Sequence, residues 1–262
     1  MKIPIYQIDA FTQTQTPFSG NPAAVCPLDT WLDDATLQNI AAENNLAETA
    51  FIVPRDEGYD LRWFTPTVEV DLCGHATLAS AYVVFNYLQP VLESVSFETM
   101  SGTLVVTRDG ERLSMNFPVW ASTPIPVSDA LSDALGEAPS ELHLSRDILA
   151  VYDDEATVRK LSPDYRKLMA VEEGFGVIVT AKGDTVDFVS RFFVPKGGID
   201  EDPVTGSAHC TLVPFWAERH GRSELVAHQV SARGGELRCE LRGDRVIMSG
   251  HCVLFLVGSI HL

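Results

Sequence analysis

Arg62-Trp63-Phe64-Thr65-Pro66 and, 129 residues further on, Arg191-Phe192-Phe193-Val194-Pro195 are two copies of one phrase. Each is followed by an acidic stretch and a small-residue turn: Asp71-Leu72-Cys73-Gly74-His75-Ala76 in the first copy, Asp202-Pro203-Val204-Thr205-Gly206-Ser207-Ala208 in the second. Gly74 and Gly206 are 132 residues apart. A third block, Gly102, Leu104, Gly110, Arg112 and Met115, returns as Gly235, Leu237, Gly243, Arg245 and Met248 at one ungapped offset of 133. Strand–turn–strand patterns resemble one another in unrelated places. Three blocks in the same order, at a nearly constant offset of about half the 262-residue chain, imply instead a duplicated module.

The phrase reads as a strand ended by proline, and the glycine turn after it opens a helix. From His75 to Leu88 the residues Ala76, Leu78, Ala79, Ala81, Tyr82, Val83, Val84, Phe85 and Leu88 cover the whole circumference, which predicts a helix buried on every side. A hairpin follows, with Asp109-Gly110 at the bend in the first copy and Gly243-Asp244 in the second. The expected fold class is α+β: two pseudo-symmetric domains, each a mostly antiparallel, barrel-like sheet around a central helix. The linker is the proline-rich stretch from Phe117 to Val127, so residues 1–117 with a returning strand at 252–262 form one half and 118–251 the other. Inserted in the first half, Asp33–Asn44 reads as a helix with Leu37, Ile40 and Ala41 at helical spacing, and Asn44-Asn45 leads into a strand beginning Leu46-Ala47-Glu48. No motif is legible between Pro126 and Val171.

With 45% hydrophobic residues the chain has ample material for a core. The 36 acidic residues against 19 basic ones give a net charge of -17, a field that repels a phosphate backbone or an anionic membrane, so neither nucleic acid nor membrane is expected as a partner. Cys26, Cys73, Cys210, Cys239 and Cys252 are odd in number and lack CxxC spacing, which fits neither a disulfide framework nor a zinc site; a reducing, cytoplasmic compartment is expected. The first ten residues lack the apolar core of a signal peptide, and no run reaches membrane-spanning length.

Because Lys and Arg are nowhere clustered, an anionic substrate must be held by backbone N–H groups at helix N-termini, such as those at Gly74-His75-Ala76 and Gly206-Ser207-Ala208. Small residues at one such turn are explained by tight helix–sheet packing; their recurrence in register favours a binding role. The titratable groups nearby are Asp71, Cys73 and His75 in the first copy and Asp202 and His209 in the second. His75 and Asp202 stand where a side chain either caps the helix or faces a ligand. His209, inside the second helix, reads as a packed histidine. Cys73 is placed in a field that stabilises thiolate. Its counterpart is Val204 or Thr205, so a mechanism with one thiol on each face of a carbon centre is unavailable.

Asp9-Ala10-Phe11, Gly20-Asn21-Pro22-Ala23-Ala24-Val25, Asn45-Leu46-Ala47-Glu48-Thr49-Ala50-Phe51, Cys73-Gly74-His75-Ala76-Thr77-Leu78-Ala79 and Glu201–His209 occur in that order over nearly the whole chain. Together they resemble the PhzF-like family of phenazine biosynthesis. The resemblance implies the diaminopimelate-epimerase-like fold, which the duplication suggests independently, and a homodimer. It also implies an isomerase, without metal or organic cofactor, that moves a proton on a small carboxylate-bearing, dihydroaromatic-type substrate held between the two halves. Glu48 corresponds to the family's proton shuttle, and His75 and Asp202 to its companions. Asn21, Gly74, Ala76, Gly206 and Ser207 fall on substrate-binding positions. On its own Glu48 is an undistinguished acid between a helix and a strand, although Leu46, Ala50 and Phe51 put it at the edge of an apolar environment. One departure is Ala47, where the family commonly has serine; a hydroxyl contact is missing there, which bears on substrate identity. The alternatives are an amino-acid racemase or epimerase and a non-catalytic small-molecule-binding protein on the same scaffold.

Overall fold

In the computed structural model, which describes every residue except Gln15 and Pro17, the repeated arginines do the same thing twice. Arg62 grips Glu69 with Nε and a terminal nitrogen, at 2.6 and 2.7 Å, and Arg191 grips Glu201 in the same two-pronged way at 2.8 and 2.9 Å. Each guanidinium also covers the following aromatic ring, Phe64 at 5.1 Å and Phe193 at 4.8 Å from the centroid. The chain divides into two units, Met1–Asn116 with Ser249–Leu262, and Phe117–Met248.

The first unit contains β1 (Lys2–Thr12), β2 (Asn21–Pro27), β3 (Glu48–Pro54), β4 (Tyr59–Phe64), β5 (Glu69–Val70), β6 (Ser94–Thr99), β7 (Gly102–Asp109) and β8 (Arg112–Pro118). The described strands close into an eight-stranded ring. The C-terminal strand, Arg245–His261, pairs with β1, and β2, β3, β4, β6, β7 and β8 follow before β8 returns to the C-terminal strand. The β2/β3 and β4/β6 joints are parallel. Helix α1 (Asp34–Asn44) packs Leu37, Ile40 and Ala41 into a cluster with Ile3, Phe51 and Phe64.

Helix α2 (Gly74–Val83) lies within the ring, against β1, β2, β3 and β7, with every residue but Tyr82 buried. The hydroxyls of its buried Thr77 and Ser80 avoid a desolvation penalty by bonding back along the helix, Thr77 to the Cys73 carbonyl at 2.6 Å and Ser80 to that of Ala76 at 2.7 Å. The expected helix to Leu88 is thus α-helical only to Val83; Val84–Leu88 form a π-helical turn.

The second unit repeats the plan. Strands β9 (Thr123–Ile125), β10 (Glu141–Leu144), β11 (Ile148–Val151), β12 (Val177–Lys182), β13 (Phe188–Phe193), β14 (Glu201–Asp202), β15 (Glu224–Gln229) and β16 (Gly235–Arg242) run in the order β9-β10-β11-β12-β13-β15-β16, with β14 on β13. Parallel joints recur at the corresponding places, β11/β12 and β13/β15. The stretch without motifs holds α3 (Asp129–Leu135), α4 (Glu155–Lys160) and α5 (Tyr165–Met169), and it feeds Leu131, Leu135, Val158 and Leu168 into the core beside Val179 and Phe193.

The counterpart of α2 is α6 (Gly206–His220). It contains Pro214, which has no N–H to give; the Cys210 carbonyl that this would orphan accepts the Trp120 N–H instead, at 3.0 Å. Trp216 fixes the far end, stacked on Phe188 at 5.8 Å and donating to the Thr180 hydroxyl at 3.0 Å.

Candidate active site

Helix α1 ends at Asn45, whose left-handed φ of 49° and N–H bond to the Ala41 carbonyl stop the helix and turn the chain towards β3. Glu48 is consequently the first residue of β3, opposite Ala23 of the parallel β2. Asn21 opens β2, two residues before that point. Gly20 makes the approach possible: its φ is +81°, and a Cβ there would stand 2.5 Å from the Ala10 carbonyl oxygen. His75 is the second residue of α2, which lies against both strands.

These elements bring four side chains together. His75 Nε2 is 3.0 Å from Glu48 Oε2, and neither atom has another partner among the described residues. On the other side of the ring, Nδ1 meets Asn21 Nδ2 at 3.1 Å and Cys73 Sγ at 3.5 Å. His75, Asn21 and Cys73 are buried; Glu48 keeps 15% of its side chain exposed, which gives the cluster its contact with solvent.

Burial alone would depress the His75 imidazole, but the Cys73 sulfur and the Glu48 carboxylate more than reverse this and hold it well above its ordinary value. The Cys73 thiol is itself pushed up to about 11, by burial first and then by the charge of Glu48. The expected thiolate-stabilising field is therefore overturned: desolvation outweighs the helix N-terminus, and Cys73 is a neutral thiol at neutral pH. Glu48, Cys73 and His75 offer donor atoms within 4.8 Å of one another. They do not converge on a point, since Glu48 and Cys73 address opposite nitrogens of a single ring, whereas a metal needs its ligands around one centre. The arrangement suits passing or sharing a proton.

In the second unit, Asp202 accepts the Thr205 hydroxyl at 2.5 Å. Gln229, which no sequence motif marks, straps the turn before α6: it accepts the Thr205 N–H at 2.8 Å and donates to the Asp202 carbonyl at 2.7 Å. Gly206 is buried and Ser207 half-buried at the start of α6. Gly74 and Ala76 hold the matching places in α2. Among the described residues neither N-cap, Cys73 or Thr205, makes a side-chain capping hydrogen bond, so the first N–H groups of both helices depend on other partners. His209 is a packed histidine, its Nδ1–H on the Thr205 carbonyl at 2.7 Å, and burial pushes it down to about 4.

Registers tie the two copies together. Phe64 lies opposite Thr49 and Phe193 opposite Val177, so the counterpart of Glu48 is Gly176. By the paired glycines, Ser207 answers His75 and Thr205 answers Cys73. The duplication kept the frame and left the acid–imidazole pair in the first unit alone.

The profile of the phenazine biosynthesis-like proteins, PhzC-PhzF, matches residues 8–258. A Pseudomonas aeruginosa protein named an uncharacterised isomerase is 52% identical over 262 residues, covering 100% of both chains. The crystal structure of a phenazine biosynthesis protein of the PhzF family from Enterococcus faecalis superposes with a TM-score of 0.97 at 50% identity, again over 100% of both chains. The chain belongs to the phenazine biosynthesis-like, PhzF family. A hydroxyproline epimerase from Agrobacterium vitis shares the fold, with a TM-score of 0.64 at 9% identity over 99% of this chain and 92% of that one. Among the described residues no helix is long and apolar enough to cross a membrane.

Proposed function

We propose that the chain is an isomerase that moves a proton on a small unsaturated carboxylic acid, with Glu48 as the proton carrier and His75 as its partner. The observation that carries this reading is the 3.0 Å contact between Glu48 Oε2 and His75 Nε2 at the start of an α-helix. The Glu48 carboxylate takes a proton from the carbon next to an unsaturated bond, the electron pair shifts along the conjugated frame, and the same carboxyl returns the proton to a carbon further along. His75, 3.0 Å away through Nε2, holds the carboxyl in place. The first N–H groups of α2 hold the substrate carboxylate, as a helix N-terminus holds an anion. Asp202, Gly206 and Ser207 have a binding role of the same kind in the second unit, a reading that the in-register recurrence of the turn supports.

No step calls on a metal or an organic cofactor. Acid–base catalysis of this kind contributes roughly 10²–10⁴-fold, and positioning adds to it. A two-thiol epimerase is disfavoured because Thr205 stands where the second thiol would be. The test is Glu48→Gln, assayed on the small acid identified by mass in the purified protein. The variant is expected to bind that acid with near-normal affinity and to lose turnover by at least a hundredfold. Undiminished turnover removes Glu48 from the chemistry.

A further inference from the structure

His75 Nδ1 has one lone pair, or one proton, with which to answer its neighbours. The nearer of them, the Asn21 amide nitrogen at 3.1 Å, only donates; the sulfur of Cys73 at 3.5 Å, a thiol that burial keeps protonated, donates or accepts weakly. A proton on Nδ1 would point at the amide hydrogens of Asn21. On the opposite edge of the ring, Nε2 faces the Glu48 carboxylate, which only accepts. The neighbours thus define a neutral imidazole carrying its proton on Nε2.

Burial favours the neutral ring, and the charge of Glu48 works against it, because a carboxylate 3.0 Å away draws a second proton onto the ring; the upward pull of Cys73 on the imidazole needs a thiolate, and at neutral pH that thiol is protonated. Asn21 stands where that second proton would go. Its side chain is fully buried, and its backbone is fixed by pairing with Ala10 across β1 and by the left-handed Gly20 before it.

We infer that Asn21 is a positioning residue: by donating its amide N–H to Nδ1 it keeps His75 neutral and protonated only at Nε2, so that Glu48 stays an ionised, hydrogen-bonded base. The inference rests on the proposed role of Glu48 and adds to it the reason the base is free to accept. An imidazolium beside Glu48 would lower the basicity of the carboxylate and stall the first proton transfer. Among the described residues, the titratable groups facing the ring are Glu48 from β3 and Cys73 at the start of α2.

The experiment is nitrogen NMR on full-length protein carrying ¹⁵N-histidine, with the His75 signals assigned by their loss in His75→Gln. At pH 7 the wild type is expected to show one protonated and one unprotonated nitrogen, with the proton on Nε2. In Asn21→Leu, which removes the donor, and in Asn21→Asp, which offers an acceptor of the same shape, both nitrogens become protonated at pH 7. In Asn21→Asp the basic form is also harder to reach, and the pH of half-maximal turnover rises by at least one unit. A wild-type ring protonated on both nitrogens overturns the inference, as do variants that keep the wild-type pattern. If a variant does not fold, the wild-type spectrum still decides. The spectra need no substrate, so they test Asn21 separately from whether Glu48 turns substrate over.

Discussion

Acid should loosen this protein through one histidine in particular. His209 is fully buried in α6, its Nδ1–H is bound to the Thr205 carbonyl, and its Nε2 has no partner among the described residues. Burial holds it at about 4, against 6.5 for a free imidazole. The unfolded chain therefore takes up a proton first as pH falls. The stability that this contributes is complete above pH 6.5 and is lost progressively until the folded protein is protonated too, near pH 4. The gap of about 2.5 units, at about 1.4 kcal/mol each, corresponds to about 3 kcal/mol, an upper figure that side-chain rearrangement would reduce. Other acid-sensitive groups act as well, so the measurement is a difference: urea unfolding at pH 7, 5.5 and 4.5 for the wild type and for His209→Gln. The variant is less stable at pH 7, and between pH 7 and pH 4.5 the wild type loses about 2.5 kcal/mol more than the variant. Parallel losses in the two proteins would refute the reasoning.

Two further outcomes follow from the same structure. Arg191 is more buried than its counterpart Arg62, with 10% against 24% of the side chain exposed, and it also donates to the Val158 and Leu161 carbonyls. Arg191→Ala should cost roughly 3 kcal/mol in urea unfolding and Arg62→Ala about 1 kcal/mol or less, because only the first also leaves the buried Val158 and Leu161 carbonyls without a donor. Cys73, protonated at neutral pH, should resist iodoacetamide at pH 7.5 in the native state, and Cys73→Ser should keep turnover within about fivefold; loss of turnover to the level of Glu48→Gln would give the thiol a direct part in the chemistry.

How much of this was legible in the sequence differs from residue to residue. The duplication could be read because Arg62 and Arg191 each do the same job beside an aromatic and a proline, and a bidentate pair tolerates little substitution. Glu48 could be placed at the start of a strand, since Asn44-Asn45 is a helix stop. Its meeting with His75 and Asn21 was implied only by the family resemblance, because that contact is made between β2, β3 and α2 and depends on a parallel register that no local pattern encodes. The thiolate expectation for Cys73 failed for a related reason: a helix N-terminus is visible in sequence, while the burial that outweighs it belongs to the closed ring. The helices α3, α4 and α5 escaped notice because five to seven residues are too few to display a helical period. Gln229 carries no motif at all and acts only through its reach to Thr205 and Asp202.

The most direct test follows a single hydrogen. Wild-type protein and Glu48→Gln are incubated in heavy water with a panel of cyclic and aromatic-precursor carboxylic acids, and deuterium on carbon is read by NMR and mass. With Glu48 as the carrier, the wild type places deuterium at a carbon adjacent to an unsaturated bond in at least one acid, and the variant does so at least a hundred times more slowly. Equal labelling by the two proteins would contradict the account.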